Sequence, residues 1–337
     1  MSEKYYIGEI VSLNAEQILE KFKIGEFPDK TFSKLYARWL GIPTRPGLVL
    51  EVHYGKIHRC YCISEETEDF LNSHDRFVLI YDFRANFNNL QQWMKEREVR
   101  PKPRRCNKRD VLQQIEKSVE EGFTFSDHFF LNIVPHAQRY PFAASTINDG
   151  FTYIEYSDHF EASHGSRNTK LCSLREKEFI FNETELPCSC LTEIDSITRT
   201  FVKLIGCNTL CEFFIIDNKP CLIAAQKRSG KKILLSIPNG EMKIISHGAI
   251  CGTVKWVNNI SIPNICEKFS QAKNKYVFLA EKPHSEFVDL LKFAKGFIFV
   301  EGSVLCHLSI LLREKEIPAR IYNRALEYKD GDKILLD

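Results

Sequence analysis

The side chain with the clearest chemical capacity is His307, which lies between a loop of small residues and an apolar helix. Gly302 and Ser303 precede it, and the helical pattern runs on to Ile317-Pro318. A loop that leads into a helix exposes the imidazole at the helix N-terminus, where free N–H groups and the positive dipole end suit a phosphoryl group. His307 is therefore a candidate phosphate carrier. Taken alone, a histidine in this position is more often a polar cap or a surface group.

The segments around His307 alternate between strand and helix patterns. Short apolar runs predict strands, and a run with apolar residues on one side predicts a helix that Gly296 ends. In chain order we expect a strand at Lys275–Ala280, a helix at Ser285–Ala294, a strand at Phe297–Val300, the helix after His307, a strand at Arg320–Tyr322, a turn at Lys329–Asp332 and a strand at Lys333–Leu336. This order predicts a β/α domain that presents His307 on a loop.

The segment 301–319 resembles the phosphohistidine swivelling domain of the PEP synthase and pyruvate phosphate dikinase family. The positions that agree without a gap are Gly302, Cys306, His307, Ile310, Arg313, Glu314, Ile317, Pro318 and Ala319. Ser303 and Glu316 stand where the family has glycine, and Leu308 and Ser309 where it has alanine. The resemblance implies that His307 carries the phosphoryl group and that Arg313 assists it. For Arg313 a local structural ion pair remains an equal alternative. Upstream, Gly248 and Gly252 fit the family's first glycines, so we place this mobile domain at 242–337.

A β-hairpin is predicted ahead of that domain. The apolar runs Cys211–Ile216 and Cys221–Ala225 flank the turn residues Asp217-Asn218-Lys219. In the same family the ATP-grasp nucleotide domain ends in such a hairpin. The resemblance implies that Glu212 and Gln226 hold Mg²⁺ and nucleotide, and that Arg228 faces phosphate. If the turn is used as the anchor, Ala224 takes the place of the glutamine.

The N-terminal part carries a second stretch of this resemblance. Lys30 followed by Gly41–Leu48 is similar to the family's lysine motif, whose lysine contacts ATP phosphates. The family then has a strand that ends in a phosphate-gripping arginine. Its counterpart here is Phe77–Arg84, where Tyr81 occupies the arginine place and Arg84 follows three residues later. Lys30 and Arg84 are the implied phosphate contacts.

The middle of the chain resembles the centre of the ATP-grasp domain. A helical pattern covers Val111–Glu120 and an apolar strand covers His128–Val134, with Asn132 at the family's glutamine. Phe160–Gly165 is loosely similar to its phosphate loop. We therefore expect an α/β and α+β protein, with a reduced ATP-grasp-like domain over 1–235, in one or in two lobes split near 110, followed by the β/α mobile domain.

Composition excludes several other classes. The chain has 337 residues, a formal net charge of +2 and 12 cysteines. The small net charge gives no reason to expect nucleic acid as a partner, although the basic run Arg100–Arg109 is either a solvated loop or a polyphosphate or nucleic-acid contact. We expect no membrane span and no secretory signal, and the cysteines without a disulfide spacing predict reduced thiols and a cytoplasmic protein.

The resemblance to this family implies an ATP-dependent, kinase- or dikinase-type phosphotransferase with ATP and Mg²⁺ as cofactors. The phosphoryl group would pass through phospho-His307 to a small-molecule acceptor, bound by this chain or by a separate acceptor subunit. Two alternatives stay open. The chain is either a catalytically degenerate member that binds a nucleotide or a partner, or one subunit of a split PEP synthase-like system.

Overall fold

The computed structural model describes residues 9–63, 67–83, 103–136, 140–159, 169–227, 242–257 and 276–336. It is a mixed α/β structure, as predicted, and it divides into two compact units. The first unit comprises Met1–Gln138 and Cys211–Lys227, and the second comprises Arg139–Leu210 and Arg228–Asp337. The domain limits drawn from the sequence differ from these units and stay a prediction.

The first unit is built on a mixed sheet. Its strands are β1 (Glu9–Ile10), β2 (Leu48–His53), β3 (Lys56–Cys62), β4 (Arg76–Phe83), β5 (Arg104–Asn107) and β6 (His128–Pro135), in the spatial order β1-β3-β2-β6-β4-β5. Its helices are α1 (Ala15–Lys23), α2 (Asp29–Trp39), α3 (Thr67–Ser73) and α4 (Val111–Phe123), with a short 3-10 helix at Lys108–Asp110. The hairpin formed by β11 (Thr209–Ile216) and β12 (Lys219–Lys227) completes this unit, apart from the first residues of β11.

The sheet of the first unit is apolar on one face because its side chains alternate along each strand. Leu48, Leu50 and Val52 of β2 face a core with Phe129 and Leu131 of β6. The intervening residues of these strands therefore point to the other face. That face carries the polar groups of interest for function.

The second unit contains two groups of strands. The first group has the order β10-β9-β8-β7 and consists of β7 (Phe142–Asn148), β8 (Phe151–Ser157), β9 (Lys170–Arg175) and β10 (Glu178–Asn182), with helix α5 (Cys188–Ile205) beside it. The other has the order β13-β17-β16-β15-β14-β18, from β13 (Met242–Ser246), β14 (Ile250–Trp256), β15 (Tyr276–Ala280), β16 (Ala294–Phe299), β17 (Ala319–Tyr322) and β18 (Lys333–Leu336). Helix α6 (His307–Glu314) and 3-10 helices at Ser285–Phe293 and Asn323–Glu327 connect these strands.

Most predicted elements are confirmed, but two expectations were wrong. Gly296 does not end a helix, because it lies inside β16 and pairs with Val277. A Cβ at Gly296 would lie 3.0 Å from the Pro318 carbonyl oxygen, so close strand packing explains the glycine. The basic run is not all loop, since Arg104–Asn107 forms β5 against β4 and Arg104 pairs with Glu121.

No helix in the described part of the chain is long and apolar enough to cross a membrane.

Candidate functional site

His307 is the first residue of α6, as its sequence position predicts. Cys306 caps the helix in an extended conformation, with φ −69° and ψ 165°, so the chain turns from loop to helix at the histidine. The first turn of an α-helix leaves N–H groups without partners inside the helix. The imidazole is half-buried among mostly buried neighbours. His307 therefore lies at the positive end of a helix dipole, a position that favours an anionic group bound to its ring.

The loop before His307 is held by one buried carboxylate, that of Glu155 on β8. This side chain accepts hydrogen bonds from the Ser303 hydroxyl at 2.6 Å, from the Val304 N–H at 2.6 Å and from the Leu305 N–H at 2.7 Å. The Thr169 hydroxyl adds a fourth donor at 2.9 Å. Hydrogen bonds to an ionised acceptor are roughly twice as strong as neutral ones. Glu155 thus fixes the shape of the loop that presents the histidine.

Arg313 supports the same loop from within α6. Its side chain is buried, and Nη1 donates to the Val304 carbonyl oxygen at 2.5 Å and to the Ile245 carbonyl oxygen at 3.4 Å. The Ser309 hydroxyl donates to the Ser303 carbonyl oxygen at 2.7 Å. Arg313 therefore positions the loop through hydrogen bonds to carbonyl oxygens, and the local ion pair stays a prediction. A direct contact of Arg313 with phosphate stays a prediction.

A polar cleft of about 360 Å³ lies beside this loop within the second unit. Its rim carries Lys170, Asp158 and the ion pair between Lys282 and Glu301, whose Nζ–Oε1 distance is 2.7 Å. Thr169 lines it too and also donates to the Gly302 carbonyl oxygen at 3.3 Å. The cleft is thus connected through one side chain to the His307 loop.

In the first unit, a cluster of charged groups lies between α2 and the polar face of the sheet. Lys34 of α2 donates to the Asn132 amide oxygen on β6 at 2.9 Å. The Asp82 carboxylate of β4 accepts from the Thr31 N–H at 3.0 Å and from its hydroxyl at 2.8 Å. Asn132 stands at the position where the related family has glutamine, and in this structure its amide oxygen accepts the hydrogen bond from Lys34. Lys34 and Asp82 were missed by sequence reasoning, although Lys34 follows Lys30 by one helical turn.

Burial and neighbouring charges shift the titration of this cluster. The pKa of Lys34 is lowered from 10.5 to about 8, chiefly by burial; Asp82 and Glu212 act to raise it, whereas Lys30 and Arg45 act to lower it. Burial also raises the pKa of Asp82, against the opposing effects of Lys30 and Lys34. Lys30, Lys34, Arg45, Asp82 and Glu212 therefore act on one another electrostatically. Three cations against two carboxylates give the cluster an excess of positive charge, which favours a polyanion.

The structure brings the lysine motif and the hairpin together inside the first unit. The Leu222 N–H donates to the Pro43 carbonyl oxygen at 2.8 Å, and the Ala225 N–H donates to the Ser33 hydroxyl at 2.9 Å. The Arg45 guanidinium lies 5.3 Å from the centroid of the Phe214 ring. The motif that follows Lys30 and the strands that carry Glu212 and Gln226 are thus neighbours, as the resemblance implies.

Gln226 presents an unusual buried amide. Its Nε2 atom is buried and has no hydrogen-bond partner among the residues that the structure describes. Buried polar atoms in proteins are nearly always hydrogen-bonded, so such an atom indicates a site for a ligand or water. Among those residues no hydrogen bond joins Gln226 to Glu212, and their joint action on one metal ion stays a prediction.

The strand expected to present a phosphate-gripping arginine is arranged differently. Tyr81 packs against the apolar core, and its hydroxyl donates to Glu121 at 2.9 Å. Asp82, one residue later, faces the polar cluster instead. Alternation along the strand therefore places a carboxylate rather than a cation on that face. Arg84, Arg228 and the segment 160–165 lie outside the described residues, so their predicted roles stay predictions.

Comparison with known proteins confirms the resemblance at the C-terminus. Residues 272–337 match the family described as PEP-utilising enzyme, mobile domain. The match includes His307 and all of α6. A search of curated proteins finds no significant match.

Solved structures show only distant likeness to the chain. The D-alanine–D-alanine ligase from Bacillus anthracis, complexed with ATP, has 13% identity and a TM-score of 0.34, over 67% of this chain and 66% of that chain. The Helicobacter pylori enzyme has 14% identity and a TM-score of 0.33, over 59% and 53%. An L-amino acid ligase from Bacillus licheniformis has 14% identity and a TM-score of 0.30, over 64% and 54%. The chain thus spans less than two thirds of the length of each of these proteins, and likeness at this level assigns no function.

Proposed function

We propose that this protein transfers a phosphoryl group from ATP to His307 and from there to a small polar acceptor. The observation that carries the proposal is the position of His307, the first residue of a helix inside the segment that matches the mobile domain of PEP-utilising enzymes. The anchored loop in front of it adds support. Four hydrogen bonds to the Glu155 carboxylate fix the conformation of the loop that presents the histidine, and in-line transfer requires such positioning.

The chemical step is a displacement at phosphorus. A neutral ring nitrogen of His307 supplies the electron pair for the new N–P bond, while the P–O bond to the nucleotide breaks and the leaving oxygen keeps its electrons. The N–H groups at the start of α6 favour the negative charge carried by the transferred group. Transfer onward reverses the step, with an acceptor oxygen in place of the nucleotide oxygen.

The charged cluster of the first unit is the proposed location for the ATP phosphates. Lys30 and Lys34 lie on successive turns of α2, and Arg45 acts on the same charges. An ammonium group has three donors, of which Lys34 directs one to Asn132. The Gln226 Nε2 atom, which has no partner among the residues that the structure describes, offers a further hydrogen bond to a nucleotide.

Magnesium fits this set of residues. Mg²⁺ is usually held by one or two carboxylates together with substrate phosphates, and it neutralises charge on the transferring group when bound. Glu212 supplies a half-buried carboxylate within electrostatic reach of Lys34. Asp82 is less suited because its carboxylate already accepts two hydrogen bonds from Thr31.

A small polar acceptor is favoured by the cleft next to the His307 loop. Its volume of about 360 Å³ lies in the usual range for small-molecule sites, and charged side chains line it. Both signs of charge on the rim suit an acceptor with hydroxyl or carboxylate groups. A separate acceptor subunit would instead contact the loop itself.

One observation favours a second candidate, a member that binds nucleotide without catalysis. Tyr81 replaces the family's arginine and is turned into the core, whereas Asp82 faces the cluster. A carboxylate near the phosphate site weakens anion binding and transition-state stabilisation. Tight ATP binding without any nucleotide turnover would support this candidate.

Single-turnover analysis of nucleotide products tests the proposal. The full chain is mixed with ATP and Mg²⁺, and AMP and ADP are quantified against the protein concentration. We expect about one product nucleotide per chain from the wild type and none from His307→Ala. His284→Ala is the matched control, since His284 is an exposed histidine before another helix of the same segment. Product formation that is equal in wild type and His307→Ala would contradict the proposal.

A further inference from the structure

A cluster of metal-ligand type lies on the sheet of the first unit, apart from the groups assigned to nucleotide. It consists of Glu51 and His53 on β2 and His128 at the start of β6. His53 and His128 are directly opposite each other in the antiparallel pairing of these strands. Glu51 lies two residues before His53, so period-two alternation places all three side chains on one face.

The three ligand atoms converge on one point. The Nε2 atom of His53 lies 2.9 Å from the Glu51 Oε1 atom, and the Nε2 atom of His128 lies 3.2 Å from the same oxygen. The rings of the two histidines are stacked, with centroids 3.8 Å apart. All three ligand atoms lie within 4.8 Å of one another. A tetrahedral zinc ion with ligands at 2.0–2.2 Å separates its ligand atoms by about 3.4 Å, so small movements suffice for its insertion.

The surroundings orient the carboxylate as in known metal centres. The Tyr61 hydroxyl donates to Glu51 Oε2 at 2.6 Å, leaving Oε1 to the histidines. Hydrogen-bond donors that orient a metal-binding carboxylate in this way are a regular part of metal sites. The Arg59 Nη1 atom lies 4.0 Å from Glu51 Oε2, the oxygen that accepts from Tyr61. The Glu51 side chain is 5% exposed, whereas that of His53 is 36% exposed. The carboxylate is therefore held inside the protein, and the histidine side of the site is open to solvent.

We propose that Glu51, His53 and His128 form a Zn²⁺ site that links β2 to β6. Two imidazoles and one carboxylate, with the fourth position left to water, are a ligand set that zinc accepts readily, whereas Mg²⁺ prefers oxygen alone. The bound ion stabilises the sheet of the first unit. It has no part in the phosphoryl transfer proposed for His307, so either proposal can fail without the other.

Titration of the metal-free full chain with Co²⁺, and then with Zn²⁺, tests the site. Cobalt reports its ligands through its visible spectrum, and a thiolate charge-transfer band would reveal binding to cysteines instead. We expect one Co²⁺ per chain, a spectrum without that band, displacement by Zn²⁺ and a higher melting temperature with Zn²⁺. No stoichiometric binding by the wild type, or a thiolate band, would overturn the proposal whatever the variants do.

Variants identify the ligands. His53→Gln and His128→Gln should each weaken binding by about 100-fold or more, and Tyr61→Phe by about 10–100-fold through loss of carboxylate orientation. His74→Gln is the matched control, because this histidine of the same unit contacts Ser73 and the Phe70 carbonyl oxygen rather than the cluster. Unchanged affinity in both ligand variants would show that the three residues form only a hydrogen-bonded group.

Discussion

The Glu155 carboxylate accepts a hydrogen bond from the Ser303 hydroxyl at 2.6 Å, across 148 positions of sequence. The same carboxylate accepts from the next two backbone N–H groups, those of Val304 and Leu305, which lie three and two residues before His307. One strand of the second unit thus determines the conformation of the loop that presents the histidine. The contact also explains why serine stands where the related family has glycine.

Replacing Glu155 should destabilise the second unit. In Glu155→Leu, three buried donors of the loop lose their acceptor, and one unsatisfied buried polar group costs about 1–3 kcal/mol. We expect the free energy of unfolding to fall by at least about 2 kcal/mol, measured with urea. Glu178→Leu on the exposed strand β10 is the control. Equal stability of the Glu155 and Glu178 variants would show that the anchor has little energetic weight.

Lys34 should make ATP binding depend on pH. Burial lowers its pKa to about 8, so the ammonium loses its proton as pH rises through that value. Phosphate binds the charged form, and ATP affinity should therefore be full below pH 8 and fall above it. Calorimetric titrations of ATP binding between about pH 6.5 and about 9.5 measure this change in affinity. This pH range lies on both sides of the shifted pKa.

The variant Lys34→Met separates this effect from other titrations. It keeps an unbranched side chain that is one heavy atom shorter and removes the charge, so ATP affinity should be lower at neutral pH and nearly independent of pH. Lys219→Met, at the exposed start of β12, should bind ATP like the wild type. A pH profile of Lys34→Met that still falls near 8 would assign the titration to another group.

Gln226 should contribute to ligand binding without contributing to stability. Its Nε2 atom is buried and has no partner in the described part of the chain, so Gln226→Leu removes an unsatisfied buried donor. The free energy of unfolding should stay equal or rise, while ATP affinity falls by about tenfold, the effect of one lost hydrogen bond of about 1.4 kcal/mol. Lower stability with unchanged ATP affinity would show that the amide is structural.

Local chemistry made much of this structure predictable. The turn residues Asp217 and Asn218 adopt φ values of 50° and 60°, the left-handed conformation that short asparagine- and aspartate-containing hairpin turns require. His307 begins its helix where the loop of small residues meets the apolar run, as the sequence predicts. Glu316, at a position where the related family has glycine, has φ 54°, a left-handed conformation that costs a residue with a Cβ some strain.

Contacts between distant segments were not predictable in this way. Lys34 meets Asn132 across 98 positions and Asp82 meets Thr31 across 51, and neither pair leaves a periodic signal. The zinc-type cluster depends on the register of β2 against β6, which places His53 opposite His128. Single-sequence patterns give strand positions but not strand pairing, so this cluster appeared only in the structure.

The central claim is that His307 carries a phosphoryl group, and intact mass spectrometry tests it most directly. After incubation of the full chain with ATP and Mg²⁺, the wild type and His284→Ala should gain the mass of one phosphate. The gain should disappear on brief acid treatment, as expected for a phosphoramidate, and should be absent in His307→Ala. An unchanged mass of the wild type, or a gain that persists in His307→Ala, would contradict the account.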